Sequence, residues 1–141
     1  MANRLDNVLD GLETELAELV TAGDLRQVVR RLVNPAKEAE VPILGLLPSS
    51  CRAIGQGRWE ATAIVRVCTR ARNTSADASI TDLMAQVVGK IREYNAKSNS
   101  NAGTADMPRF DLWYDVRISQ APVGAWGIVR ISIGEDLLIS E

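Results

Sequence analysis

A chain of 141 residues with 16 Lys and Arg, 18 Asp and Glu and a formal charge of −2 is about one domain, long enough to bury a core. It contains no histidine and only two cysteines, Cys51 and Cys68, so it lacks the commonest general base, the usual triad member and any Cys/His zinc site. No apolar run approaches the ~20 residues of a membrane span, and the acidic, periodic N-terminus is unlike a signal peptide, so a cytosolic protein with reduced, packing cysteines is expected.

The first element is a helix over Leu5 to Val20. Leu5, Leu9, Leu12, Leu16, Leu19 and Val20 recur at helical spacing, with Asp6, Asp10, Glu13, Glu15 and Glu18 between them, so one side is to be buried. Leu25 to Val33 fits both a helical stripe and a short strand rich in β-branched residues, and the choice stays open. Asn34 to Glu40 reads as loop. Val41 to Leu47 is an apolar run bracketed by Pro42 and Pro48, which suits a strand that ends at its prolines. Ser49 to Gly57 then reads as the hairpin loop. Gly55-Gln56-Gly57 begins like a phosphate loop, but it precedes a strand and Glu60 stands where a third glycine is needed.

Arg58 to Arg72 carries the clearest strand signal. Trp59, Ala61, Ala63, Val65 and Val67 share one parity, while Glu60, Thr62, Arg66, Cys68 and Arg70 hold the other, with Ile64 as the exception. A second helix runs through Ile80, Leu83, Met84, Val87, Val88, Ile91 and Tyr94, with Ser79 as its expected N-cap and Asp82 three residues on. Ala96 to Met107 is rich in Ser, Asn and Gly and reads as loop. Phe110, Leu112, Tyr114, Val116 and Ile118 then alternate with Asp111, Trp113, Asp115, Arg117 and Ser119 in a long strand. Pro122 to Ala125 is expected to turn the chain, and Trp126 to Ile133 returns with Val129, Ile131 and Ile133 on one face.

Helix followed by a strand pair thus occurs twice. The expected fold is a single α+β domain over residues 1–141, with a four-stranded, mainly antiparallel sheet of two hairpins and both helices on one face. The opposite face is left open or meets a partner.

Candidate site residues come from charge and aromatic placement. Arg52, Arg58, Arg66, Arg70 and Arg72 cluster around the central strand with Glu60 as their only acid, whereas the first helix carries five acids against Arg4. A charged strand face is commonly just solvated and resists edge aggregation; the alternative is a surface complementary to the acidic helix of a neighbour. Asp111 and Asp115 share a strand face, but four residues at ~3.3 Å each place them about 13 Å apart, beyond glycosidase spacing. Trp113 lies among Asp111, Asp115 and Arg117, an aromatic among charges as at subunit interfaces. The arginines are not interleaved with stacking aromatics, so specific nucleic-acid binding is not expected. Interface candidates are therefore Trp113, Arg66, Arg70, Arg72, Asp111 and Asp115; no catalytic, cofactor or metal residues are assigned.

The order and spacing of VPILGLLP, RWEATAIVRVCTRAR, SITDLMAQVVGKIREYN and DLWYDVRISQAPVGAWGIVRISI behind the acidic helix resemble the tail terminator, or tail completion, proteins of long-tailed bacteriophages, including minor tail proteins of Mu-like prophages. The resemblance covers most of the chain. It implies a non-enzymatic virion-tail subunit, assembled in the host bacterial cytoplasm. Such a subunit closes as a homo-oligomeric ring, usually a hexamer, on the tail tube protein, stops polymerisation and offers a surface to the head–tail connector. A head-completion or connector protein is the nearest alternative, and a DNA-binding accessory protein is a more distant one.

Overall fold

The computed structural model describes residues 3–34, 41–69, 76–97, 103–114 and 122–138. Two helices and six strands follow in the order α1 (Arg4–Thr21), β1 (Gln27–Val29), β2 (Ile43–Gly55), β3 (Arg58–Cys68), α2 (Ala76–Ala96), β4 (Thr104–Asp106), β5 (Phe110–Tyr114) and β6 (Pro122–Ile133). The fold is α+β with both helices against one face of the sheet, as expected, but the sheet is larger and mixed. Its order is β1-β2-β3-β6-β4, with β5 also on β6. β1 runs parallel to β2 and every other pairing is antiparallel.

Asn3 caps α1 by accepting from the Asp6 amide at 2.8 Å, and Gly23, at φ +89°, ends it. The Gly23 and Asp24 amides return to the Val20 and Leu19 carbonyls, the closure that a left-handed glycine allows. Val8, Leu9, Leu12, Leu16 and Leu19 of α1 pack with Ile80, Met84, Val87, Ile91 and Tyr94 of α2 over Leu44, Leu46, Ala61, Ala63, Val65, Val67, Val129, Ile131 and Ile133. The alternating residues of β3 and β6 meet because the two strands pair continuously from Trp59↔Ile133 to Cys68↔Gly124. Small alanines in the middle of β3 leave room for the helices, and Gly11 leaves room for the Tyr94 ring, which an added Cβ would strike.

Several expectations need correction. The open segment Leu25–Val33 contains strand β1, because Val28 and Val29 find a parallel partner in Leu44 and Gly45. β2 does not stop at Pro48 and takes in most of the expected loop Ser49–Gly57, leaving Gln56 and Gly57 as the turn. Proline is accommodated there because β1 covers β2 only to Gly45, which leaves an open edge, and because the register slips between Pro48 and Ser50 as a bulge. Gly57 has φ +67°, so the tight turn needs its missing side chain.

α2 begins at Ala76, ahead of Ser79, which is therefore not its N-cap. The expected loop Ala96–Met107 contains β4: Asn95 Oδ1 accepts from the Ala105 amide at 2.8 Å, and Asn95 Nδ2 donates back to the Ala105 carbonyl. Ala105 and Met107 are buried. Pro122–Ala125 is not a turn, since β6 starts at Pro122 and pairs with Tyr114 there. Two further expectations fall outside the described residues: the second half of the Phe110–Ser119 strand, from Asp115 on, and the loop Asn34–Glu40 beyond Asn34. Cys51 is exposed near the end of the β2–β3 hairpin, contrary to the packing role expected, while Cys68 is buried; no disulfide joins them.

A candidate assembly surface on the uncovered sheet face

The face of the sheet away from the helices can be read row by row from the strand register. Arg52, Glu60, Ser132 and Thr104 form one row, and Ser50, Thr62, Arg130 and Asp106 the next. Leu47, Ile64 and Ile128 make a half-buried apolar row. Gly45, Arg66, Trp126 and Asp111 follow, then Ile43, Cys68, Gly124 and Trp113. Polar and apolar rows thus succeed one another across this face, instead of one continuous core.

One end is covered by the chain itself. Val33, Ile43 and Cys68 are buried as a small second cluster, with Val29, Val41 and Trp113 packed against it. The segment after β1 crosses directly over Gly45, where an added Cβ would collide with the Arg31 carbonyl. Trp113 packs closely on Gly124, where an added Cβ would come within 2.8 Å of the indole ring, and the Arg66 guanidinium carbon stands 5.5 Å from the Trp113 ring centre. This is cation–π geometry. Trp113 is accordingly half-buried and anchored, and Trp126, 37% exposed, is the more open tryptophan.

Of the six candidates, Arg66, Trp113 and Asp111 come together here. Arg70, Arg72 and Asp115 lie outside the described residues. The face also gathers Ile128, Arg109 and Arg130, which sequence reasoning did not single out, and Trp126, a distinctive tryptophan expected to be a core or half-buried sheet residue but 37% exposed. For Trp126, Ile128 and Arg130 the signal was present in the alternation of β6, where they share a parity; for Arg109 there was none. Two hollows flank Trp126. One of about 400 Å³ is lined by Asn34, Arg66, Trp113 and Trp126; the other, about 580 Å³, is lined by Pro108, Arg109, Asp111, Trp126, Gly127, Ile128 and Arg130. Within them Arg109 pairs with Asp111 at 2.7 Å, and farther along Arg52 pairs with Glu60 at 3.1 Å.

The acids of α1 are engaged within the subunit. Arg30 donates to Asp10 at 2.8 Å and to Glu13 at 3.3 Å. Burial pulls the Arg30 guanidinium down, but these two carboxylates outweigh it and hold its pKa above the ordinary value. Lys90 bridges Glu18 of α1 and Glu93 of α2 at 3.0 Å each, and Lys97 pairs with buried Glu15. The Lys90 hydrogen bond and charge lower the pKa of Glu18, and the same bond raises that of Lys90. Carboxylate oxygens of Glu15, Glu18 and Glu93 lie within 4.8 Å of one another, and the two ammonium groups supply the neutralising charge. These contacts pin α1 to α2 and leave less free negative charge on α1 than its composition suggests.

No element of nucleophilic chemistry converges with these groups among the described residues. Desolvation pushes the Cys51 thiol up, away from the thiolate a nucleophile needs. No described helix is long and apolar enough to cross a membrane. No protein-family model matches the chain, and no curated protein matches it.

Proposed function

We propose that the protein is a structural subunit of a bacteriophage tail, which closes as a homo-oligomeric ring on the end of the tail tube, stops tail polymerisation and presents the surface that joins the head. The reading rests on the resemblance in element order, and one observation supports it most: the sheet face that the helices leave uncovered carries Trp113, Trp126 and Arg66 side by side. Tryptophan and arginine are the residues that dominate binding energy at protein interfaces. Trp113 also packs on the Val33, Ile43 and Cys68 cluster, so Trp126, the more open of the two, carries most of this support.

The same geometry refines how a ring would close. A head-to-tail ring uses two different surfaces of one subunit. Because Arg30, Lys90 and Lys97 already occupy the α1 carboxylates, the tryptophan–arginine face is a stronger candidate for one of those surfaces than the net charge of α1 is for the other.

Deletion of the gene in its phage tests the reading. Overlong tails that fail to join heads are expected. Tails of normal length and full infectivity would remove the proposal, and normal tails left beside unjoined heads would move the protein to a head-completion role.

A further inference from the structure

We infer that Arg66, held over the Trp113 ring and paired in register with Trp126, is a receptor for a carboxylate carried on an extended acidic segment of a partner protein. This deepens the reading above by naming what a neighbour must present, and it rests on that reading only for who the neighbour is.

The described arginines differ in whether a carboxylate of the same chain neutralises them. Arg4, Arg30, Arg52 and Arg109 each close an ion pair with a carboxylate of the same chain. Arg66 and Arg130 close none among the described residues. For Arg66 the geometry makes this consequential. Its guanidinium is held over the Trp113 ring at 5.5 Å, and Trp126 stands directly opposite it in the β3–β6 register. A cation–π contact with one ring leaves the guanidinium N–H groups that point away from it available, and two of these form the fork that meets a carboxylate with parallel hydrogen bonds. The aromatic seat orders the side chain beforehand, so little freedom is lost when a ligand arrives.

The surroundings set the shape of the ligand. The hollows on the two sides of Trp126 lie along β6, with Arg66 at one and Arg130 at the other. Trp126, opposite Arg66, and Arg130 are four residues apart on one strand face, about 13 Å at the rise of an extended chain. A strand-like segment with acids four residues apart and an apolar residue between them therefore spans both arginines and lays its middle beside Trp126 and Ile128.

A protein carboxylate suits this face better than a nucleic-acid backbone. Glu60, Asp106 and Asp111 share the face, with Asp106 opposite Arg130 in register, and its described rows contain no lysine. A continuous row of phosphates would run past all three acids, whereas two spaced carboxylates approach only Asp106, beside Arg130, and Asp111, whose charge Arg109 already neutralises at 2.7 Å.

The test is a titration of the isotope-labelled full chain, followed at the Arg66 side-chain N–H and the tryptophan indole N–H signals. The probe is the acetylated, amidated pentapeptide Glu-Ala-Val-Ala-Glu, compared with the peptide in which both acids are Gln. Saturable shifts at Arg66, Trp113 and Trp126 are expected with the Glu peptide. Arg66→Lys keeps the charge but loses one charge-assisted hydrogen bond of the fork, and should weaken binding about tenfold. The Gln peptide should weaken it at least as much. Equal binding of both peptides, unchanged affinity in a well-folded Arg66→Lys protein, or tighter binding of an eight-residue oligothymidylate would each overturn the inference. Because the titration does not require assembly, its failure beside intact rings removes only the receptor, and its success without rings removes only the tail assignment.

Discussion

The two faces of the sheet are built from the same strands and solve different problems. Toward the helices, β2, β3 and β6 present Leu44, Leu46, Ala61, Ala63, Val65, Val67, Val129, Ile131 and Ile133, all buried. Away from them the same strands present Leu47, Ile64, Arg66, Trp126, Ile128 and Arg130, none of which is fully buried. Burial of apolar area stabilises the first face, at roughly 25 cal/mol per Å². The second face keeps its large side chains half-buried or exposed, so it gains less stability from them than the first face does. Among the described residues, the segment after β1 crosses its Gly45 end.

Substitutions on the two faces should separate accordingly. Leu46→Ala, on the helix side, should cost about 2–5 kcal/mol in denaturant unfolding, through lost burial and the cavity left behind. Gly45→Ala, on the other side of the same strand, drives a methyl group into the Arg31 backbone and should cost about 1–3 kcal/mol, as overpacking does. That result would show that the segment over Gly45 is a fixed cover. Ile64→Ala, in the half-buried outer row, should cost less, about 1–2 kcal/mol, since only part of the side chain is removed from water. Equal losses at Leu46 and Ile64 would erase the distinction between the faces.

The smallest effect concerns the charges that pin α1 to α2. Lys90 holds the pKa of Glu18 below its ordinary value of 4.5. The stabilisation from this carboxylate is therefore complete above pH 4.5 and is lost as the pH falls through the lower, folded-state value. The Lys90 pKa is raised above 10.5, so its contribution is complete below that pH and is lost as the pH rises through the folded-state value. Both groups are partly exposed, and the effect is modest and screened by salt. Protection of α1 amides, corrected for the pH dependence of intrinsic exchange, should fall at the acid end of this window, and Lys90→Met should flatten that dependence. An unchanged acid limb in Lys90→Met would mean that Glu18 is not held by Lys90.

Much of the fold was legible because long periodic segments carry redundant signals. The stripe from Leu9 to Leu19 and the alternation from Trp59 to Val67 each repeat one message over many residues. What escaped was decided by partners distant in sequence. β1 is three residues long and exists because Leu44 and Gly45 offer it an edge; β4 depends on Asn95 and on the edge of β6. Pro48 looked like a strand end, yet the open edge and the bulge tolerate it. At the candidate surface, Arg66, Trp113 and Asp111 could be placed on strand faces beforehand. Their meeting with Trp126 could not, because it follows from the register of β3 and β5 on β6, which local alternation does not contain.

Whether the uncovered face serves assembly is tested most directly by the mass of the protein after incubation with purified tail tubes. The wild-type chain should be recovered as a closed ring whose mass is a whole multiple of 15.3 kDa, while Trp126→Ala, unfolding within about 1 kcal/mol of wild type, should stay monomeric. A wild-type protein that remains a monomer, or a Trp126→Ala protein that forms the same ring, would contradict it.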